Sequence, residues 1–276
     1  MKKSFLPFLA LLLIAAAPNP AVEAERAFAA AVAEQGVKRG FLAFAAPGAF
    51  MFAPSRKSVS EVFAGTPERV ESPPLAWWPE FAGMARSGEF GFTTGSASVP
   101  TRYFTVWRRQ PNGSWKWIYD GGVMLSAPMP APGDRPVLEL PPADAAAGSA
   151  AQALAEIAPL EIALASASAA DARGALTPYL LPQALVGGSP KATWPGVAGQ
   201  AEGLAQRPAA MILTPAGGEA SEAGDLAFTY GDAAWKQGDT PRLGHYLRIW
   251  QKRREGWRLA VDLLLPEPPR TGANPS

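Results

Sequence analysis

His245 is the side chain best suited to acid–base chemistry, because it is the single histidine of a chain without cysteine. Imidazole changes its charge near neutral pH. If Tyr246–Trp250 forms a strand whose hairpin partner ends at Asp262, the imidazole and this carboxylate lie close together. An imidazole oriented by a carboxylate can move a proton, and Tyr230 can polarise a carbonyl. The sequence thus predicts His245, Asp262 and Tyr230 as a catalytic group; alternatively, His245 lies exposed at a strand edge.

A second set of candidates combines an acidic residue with the tryptophans, of which the chain has nine. Aromatic rings can line a ligand pocket, but they also fill cores because each ring buries a large apolar area. Asp120, like Asp262, can act in proton transfer or can hold a backbone N–H or an arginine. The predicted ligand-binding residues are Trp77, Trp107, Asp120, Trp235 and Trp250.

Composition and motifs exclude several kinds of site. The absence of cysteine rules out disulfides and thiolate ligands, and a single histidine rules out a multi-histidine metal site within one chain. The sequence has no phosphate-binding Gly-Lys-Ser/Thr motif, no Gly-x-Gly-x-x-Gly and no Gly-x-Ser-x-Gly. We therefore expect neither a metal nor a cofactor. The 25 basic and 24 acidic residues also predict no nucleic-acid partner.

The first 24 residues predict a secretory signal peptide. Lys2 and Lys3 precede an apolar run, and Val22-Glu23-Ala24 offers small residues to a signal peptidase. Cleavage after Ala24 gives a formally neutral chain that is periplasmic or secreted; the alternative is an uncleaved membrane anchor. No later stretch is expected to be a membrane helix, so the mature chain is not expected to insert stably into a membrane.

Two segments repeat the same order of glycine, aromatic and acidic residues. Ser87–Gly95 matches Ala223–Gly231, and Tyr103–Trp107 matches Tyr246–Trp250, with an insertion of seven residues after Gly231. The matched pairs that follow are Gly113 with Gly256, Trp115 with Trp257 and Asp120 with Asp262. Chance does not preserve such a series, so the sequence predicts an internal duplication.

Proline marks the boundary between the two copies. Six prolines in residues 126–142 favour an extended, semi-rigid linker. The proline-rich end of the chain predicts a disordered tail. The predicted segments are a signal peptide (1–24), a first domain (25–125), a linker (126–142), a second domain (143–265) and a tail (266–276).

Each copy has a helical pattern followed by strand patterns. Apolar spacing predicts helices over Glu25–Gln35 and Lys38–Ala46 in the first copy. Ser149 predicts the start of the helix of the second copy, which Pro159 is expected to kink or interrupt. Asn112-Gly113 predicts a β-hairpin turn. Helices followed by an antiparallel meander predict an α+β unit with the helices on one face of a curved sheet.

The copies are expected to differ most between residues 180 and 220. Gly187–Pro190 and Pro215–Gly218 are predicted loops there. The mouths of two pockets built from these copies would therefore be unlike each other.

The run Gly-Glu/Asp-x-x-Phe-Thr-x-Gly, followed by Tyr-x-x-x-Trp and Gly-(x)-Trp-x-x-x-x-Asp, resembles the nuclear transport factor 2-like superfamily. The branch that it resembles includes SnoaL-like cyclases and bacterial domains of unknown function. The resemblance implies two cone-shaped, cystatin-like α+β domains, each with N-terminal helices over a curved antiparallel sheet and a pocket between them. It also implies that the two copies pack as a pseudo-dimer within a monomer.

The resemblance leaves the function open, because the superfamily includes isomerases, dehydratases, cyclases and non-catalytic binding domains. The high aromatic content favours a binding module for a small apolar ligand. The alternative is a cofactor-independent isomerase or dehydratase that uses His245 and Asp262. A further alternative is an envelope scaffold or partner-binding domain, which is favoured if the protein's own tryptophans fill both pockets.

Overall fold

A computed structural model describes residues 18–188 and 190–268, which form two sheets covered by helices. The first elements are α1 (Pro20–Gln35), α2 (Val37–Phe44), β1 (Ala45–Phe52), β2 (Arg56–Ser58), α3 (Val59–Val62), β3 (Trp77–Met84), β4 (Phe90–Ala97), β5 (Thr101–Arg109) and β6 (Trp115–Met124). They are followed by β7 (Leu138–Glu139), α4 (Ala150–Leu176), β8 (Leu180–Gly187), α5 (Val197–Gln206), β9 (Ile212–Ala220), β10 (Leu226–Gln237), β11 (Thr240–Arg253) and β12 (Gly256–Pro266). Most of the predicted signal peptide (residues 1–17) and most of the predicted tail (residues 269–276) lie outside the described residues.

The two sheets have the same order of corresponding strands. The first sheet runs β2-β1-β6-β5-β4-β3-β7 and the second runs β8-β12-β11-β10-β9. In the first sheet, β1 pairs parallel with β6, and β3–β6 form an antiparallel meander. In the second sheet, β8 pairs parallel with β12, and β9–β12 form the equivalent meander. The predicted α+β class is confirmed. We call α1–β6 the first unit and α4–β12 the second unit.

Helix α1 begins earlier than predicted. The Asn19 side chain accepts a hydrogen bond of 3.0 Å from the backbone N–H of Ala21, which caps the helix. Gly36 ends the helix at φ 87°, where a Cβ would collide with the Arg69 carbonyl oxygen. The predicted boundary at Ala24 therefore falls inside α1, between residues that are already buried.

Helix α4 begins at the predicted cap, since the Ser149 hydroxyl accepts from the backbone N–H of Gln152 at 3.2 Å. Pro159 does not interrupt the helix. The helix continues through Pro159, and its irregular residue is Asp171, with φ −148° and ψ 90°. A proline removes one intrahelical donor, whereas packing of the apolar face against the sheet stabilises the helix on both sides of Pro159.

The expectation that no later stretch could be a membrane helix is also wrong. In the part of the chain that the structure describes, one helix, Ala150–Tyr179, is long and apolar enough to cross a membrane. In this structure, the apolar stripe of α4 packs on the second sheet. The buried residues of this stripe are Ala153, Ile157, Leu164 and Leu176.

Two segments without predicted secondary structure contain strands. The linker contributes β7, which pairs parallel with β3, and Leu140 beside it is buried. Pro215–Gly218, a predicted loop, lies within β9 at the edge of the second sheet. An edge strand tolerates proline because one side of the strand has no hydrogen-bonded neighbour. The predicted hairpin at Asn112-Gly113 is confirmed as the β5–β6 connection.

The two sheets pack against each other through aromatic and aliphatic side chains. Phe50 lies 4.7 Å from Tyr230, and Tyr119 lies 5.5 Å from Phe228, between ring centroids. These rings belong to one apolar cluster that contains residues of both units. Burial of this apolar surface is the main stabilising interaction between the units.

The β3–β4 turn and the β9–β10 turn exchange equivalent hydrogen bonds. The backbone N–H of Arg86 donates to Asp225 Oδ2 at 2.9 Å, and the backbone N–H of Glu222 donates to Glu89 Oε1 at 2.7 Å. Arg86 corresponds to Glu222 in the repeat, and Glu89 to Asp225. Such reciprocity is typical of a two-fold interface.

A chain that begins at Glu25 is expected to unfold at a lower temperature than a chain that begins at Pro18. It lacks the Asn19 cap, which is worth about 1 kcal/mol, and the buried side chains of Ala21 and Val22. Thermal unfolding followed by circular dichroism compares the two. Equal midpoints would contradict the contribution of this first turn.

Candidate functional site

The structure does not bring the three predicted catalytic residues together. In the β11–β12 pair, His245 lies opposite Leu265, and Arg248 lies opposite Asp262. Positions 245 and 248 project from opposite faces of β11 because side chains alternate along a strand. The predicted contact between His245 and Asp262 is wrong because β12 continues past Asp262 to Pro266.

His245 and Tyr230 lie instead between the two units. The buried His245 ring stacks on Phe52 at 3.8 Å between centroids. Its Nδ1 is 2.9 Å from Asp232 Oδ1, and its Nε2 is 2.7 Å from the carbonyl oxygen of Pro54. The alternative of an exposed histidine is therefore also wrong. His245 connects the second unit to the loop that follows β1.

The helix-facing side of the first sheet holds a buried glutamate that the sequence did not indicate. Glu25 of α1 accepts hydrogen bonds from Trp77 Nε1 at 2.5 Å, from Trp107 Nε1 at 3.1 Å and from the hydroxyl of Thr93. Glu25, Thr93 and Trp107 have no exposed surface. Three donors around one carboxylate compensate for its removal from water.

The second unit repeats this arrangement. Glu161 of α4 accepts from Thr229 Oγ1 at 2.6 Å and from Trp250 Nε1 at 2.8 Å. Thr229 and Trp250 correspond to Thr93 and Trp107 in the repeat. Both glutamates are acidic residues on an otherwise apolar helix face, and this was the available sequence signal.

The units differ at the residue beside this glutamate. In the second unit, Arg248 forms an ion pair with Glu161 and donates from Nε to Asp262 Oδ2 at 2.8 Å; Arg207 also pairs with Asp262. Burial lowers the pKa of Arg248, but the two carboxylates outweigh this effect and raise it above its usual range. The result is a buried network of two acids and two arginines.

In the first unit, Thr105 takes the place of Arg248 and donates to Asp120 Oδ1 at 2.8 Å. Within the described ranges, no cation forms an ion pair with Glu25 or Asp120. Burial raises the pKa of Glu25. Burial, followed by the charge of Glu25, raises the pKa of Asp120 well above its usual range. Both carboxyl groups thus hold their proton more strongly than a solvent-exposed carboxyl group does.

The predicted internal pocket of the first unit is filled by aromatic side chains. Phe28 lies 5.0 Å from Trp77 and 6.1 Å from Trp107 between ring centroids. In the second unit, Trp250 is buried against Glu161 and contacts Tyr179 at 5.8 Å. Trp107, Asp120 and Trp250 are therefore interior residues. Trp77 is also buried, but one edge lines a 320 Å³ surface groove together with Trp78.

Trp235, another predicted ligand residue, also lies at an open cavity. It lines a groove of 390 Å³ at the mouth of the second unit, where the ends of α4, α5 and strands β10–β12 meet. We call this cavity the Trp235 groove. Its lining residues are Arg173, Pro190, Ala205, Gln206, Arg207, Pro208, Trp235, Lys236, Gln237, Arg242, Leu264 and Pro266. Across the described residues, no cluster of three or more His, Asp or Glu side chains is arranged to hold a metal ion.

No protein-family model matches the chain, and no curated protein matches its sequence. Solved structures do match. A ketosteroid isomerase-like protein from Erwinia carotovora atroseptica is 21% identical, with 42% of this chain and 97% of that chain covered and a TM-score of 0.35. A protein of unknown function of the DUF3225 family from Pectobacterium atrosepticum is 20% identical, with 43% and 93% covered and a TM-score of 0.34.

A nuclear transport factor 2-like protein of unknown function from Pseudomonas putida is 14% identical, with 46% of this chain and 95% of that chain covered and a TM-score of 0.36. Each of these matches covers less than half of this chain and nearly all of the other protein.

Matched substitutions distinguish the two buried acids. Asp120→Asn is expected to retain the native unfolding free energy at pH 7, because the native carboxyl already disfavours its charge. Asp262→Asn is expected to lose about 3–5 kcal/mol, because it leaves buried arginines without their partner. Urea unfolding of both variants measures the difference.

The pH dependence provides a second comparison. A raised folded-state pKa means that Asp120 stabilises the fold less as pH rises above the unfolded-state value of about 4. The unfolding free energy of Asp120→Asn, relative to that of the native chain, should therefore rise as pH increases from about 4 to 7. Equal losses in both variants, at all pH values, would contradict the assignment.

Proposed function

We propose that this protein is a non-catalytic binding protein that holds a small, partly apolar ligand in the Trp235 groove. The observation that carries the proposal is that Trp107 and Trp250 are buried beneath the helices, whereas Trp235 lines an open groove. Trp235, Leu264 and three prolines give it an apolar wall. Its size suits a small molecule.

The longer β10–β11 hairpin of the second unit supports this location of the binding site. Strands β10 and β11 have 12 and 14 residues, whereas β4 and β5 have 8 and 9. The extension coincides with the insertion after Gly231 and carries Trp235, Lys236 and Arg242. The second unit has therefore gained a wall that the first unit lacks.

The proposal includes two nuclear transport factor 2-like units packed as a pseudo-dimer within a monomer. The common strand order, the reciprocal turn contacts and the shared apolar cluster support this arrangement. The first domain then begins at α1, near residue 19 rather than 25. The second domain ends with β12, as the sequence suggested. Sedimentation equilibrium tests this part, and a concentration-dependent dimer would contradict it.

Export to the periplasm or cell exterior is also part of the proposal. The charged and apolar start of the chain supports it, and the capped start of α1 favours cleavage upstream of Asn19. Cell fractionation combined with the intact mass of the recovered protein tests both statements. Recovery of the full-length chain from the cytoplasm would contradict export, and a mature chain starting at Glu25 would contradict the cleavage position.

A cofactor-independent isomerase or dehydratase is a second candidate, located in the first unit. The observation that favours it is the pair of buried carboxyls with raised pKa values, Glu25 and Asp120, since such groups act as general acids. Substrate access would require movement of Trp77. Glu25→Gln should abolish any turnover and leave binding in the Trp235 groove unchanged; unchanged turnover would exclude this candidate.

Trp235→Ala is expected to weaken binding of aromatic small molecules at least about tenfold, because it removes the largest apolar surface of the groove. Trp78→Ala, at the other groove, serves as the matched control. Calorimetry and the indole N–H signal of Trp235 in ¹H–¹⁵N spectra measure binding of 2-naphthol and 2-naphthyl phosphate. If neither compound shifts this signal, the proposed binding function is wrong.

A further inference from the structure

We propose that the ligand of the Trp235 groove carries an anionic oxygen group, a carboxylate or a phosphate, which Arg207, Lys236 and Arg242 bind while Trp235 contacts its apolar part. The inference deepens the proposed function and rests on it for the location of the site. The charge of the ligand is argued separately, from the following features of the groove.

The first feature is an excess of positive charge. Four cationic side chains line the groove, and none of its described lining residues is acidic; the cationic residues are Arg173, Arg207, Lys236 and Arg242. The salt bridges of the described residues pair Arg207 with Asp262 and leave Arg173, Lys236 and Arg242 without a carboxylate partner. A concave surface lined by one sign of charge attracts ligands of the opposite sign.

The buried network behind the groove does not cancel this charge. Glu161, Arg248, Asp262 and Arg207 contribute two negative and two positive charges, so the network is balanced by itself. The remaining three cations of the groove therefore act on whatever enters it.

The second feature is an unused donor on a buried arginine. The Arg207 side chain is only 2% exposed, and its Nη2 donates to Asp262 and, at 2.9 Å, to the carbonyl oxygen of Gly187. Its Nε makes no hydrogen bond to any described atom. Buried N–H groups are almost always paired, and this unpaired donor belongs to a residue that lines the groove.

The third feature is that two of the cations are held in place. Arg173 donates from Nε and Nη2 to the carbonyl oxygen of Arg207 at 2.9 and 2.7 Å. Arg242 donates to Gln237 Oε1 at 3.3 Å and to the carbonyl oxygen of Glu267 at 3.2 Å. Side chains that are already ordered lose less entropy on binding.

These cations come from separate elements: Arg173 from α4, Arg207 from the end of α5 and Arg242 from β11. The apolar wall lies beside them, on Trp235 and Leu264. The groove thus offers an anion site and an aromatic contact to one molecule.

The experiment compares 2-naphthyl phosphate and 2-naphthoate with uncharged 2-naphthol by calorimetry at pH 7 and low salt. Inorganic phosphate serves as a probe that has no apolar part. We expect both anions to bind at least about tenfold more tightly than 2-naphthol, since charge-assisted hydrogen bonds are the strong ones. Added sodium chloride should weaken the binding of both anions and leave the binding of 2-naphthol unchanged. A shift of the Trp235 indole N–H signal shows whether each of the three naphthyl compounds binds in the groove.

Lys236→Gln and Arg242→Gln carry the mutational test, because substitution of buried Arg207 endangers folding. Each is expected to weaken anion binding about tenfold and 2-naphthol binding less than about twofold. Arg109→Gln, at the end of β5 in the first unit, is the charge-matched control and should change neither. Circular dichroism verifies that all variants are folded.

Two outcomes would overturn the inference in distinguishable ways. If 2-naphthol binds as tightly as the anions, or if the charge variants bind the anions normally, the inference of an anionic ligand is wrong. The proposed binding function then still stands. If neither the anions nor 2-naphthol bind at Trp235, both fail.

Discussion

A buried glutamate on the covering helix determines how each helix lies on its sheet. Glu25 and Glu161 each accept hydrogen bonds from a threonine and a tryptophan of the sheet below. A carboxylate removed from water is tolerated only where donors surround it, so the helix can neither rotate nor slide without losing them. The same bonds draw the tryptophan ring beneath the helix. The interaction that anchors the helix therefore also fills the space where a ligand would otherwise bind.

One position separates the electrostatics of the two units. Arg248 converts the interior of the second unit into a balanced ion network, whereas Thr105 leaves the first unit with two carboxyl groups whose pKa values are raised by burial. A buried pair of ions contributes less to stability than to the specificity of an arrangement. Here the network also extends to Arg207, whose side chain reaches the Trp235 groove. The buried ion network of the second unit thus holds Arg207, one of the lining residues of the Trp235 groove, in place.

The sequence was informative where neighbouring residues decide the structure. The caps and apolar spacing predicted α1 and the start of α4, Asn112-Gly113 predicted the β5–β6 turn, and the repeat predicted equal strand patterns. Local patterns failed where distant packing decides. Pro159 does not interrupt a helix that the sheet stabilises, and the separation of His245 from Asp262 depends on how far β12 continues.

Glu25 and Glu161 were missed because their partners are far away in the sequence. Each glutamate precedes its threonine by 68 residues. That equal spacing could have extended the repeat into the helices and revealed both residues.

Because the two units lie in one chain, a residue change in one unit is not repeated in the other, and the Trp235 groove belongs to the second unit alone. In a homodimer, every substitution appears twice across the two-fold axis. Here Arg102 and His245 occupy equivalent positions but are different residues: Arg102 Nη2 donates to the carbonyl oxygen of Thr193 at 2.9 Å, and His245 Nε2 lies 2.7 Å from that of Pro54. Burial lowers the pKa of Arg102 to about 10. Each still reaches the loop after the first strand of the opposite unit, so the packing is retained while the chemistry differs. The same freedom allows the β10–β11 hairpin to lengthen in one unit alone, and the cations of the Trp235 groove lie on and around that extension.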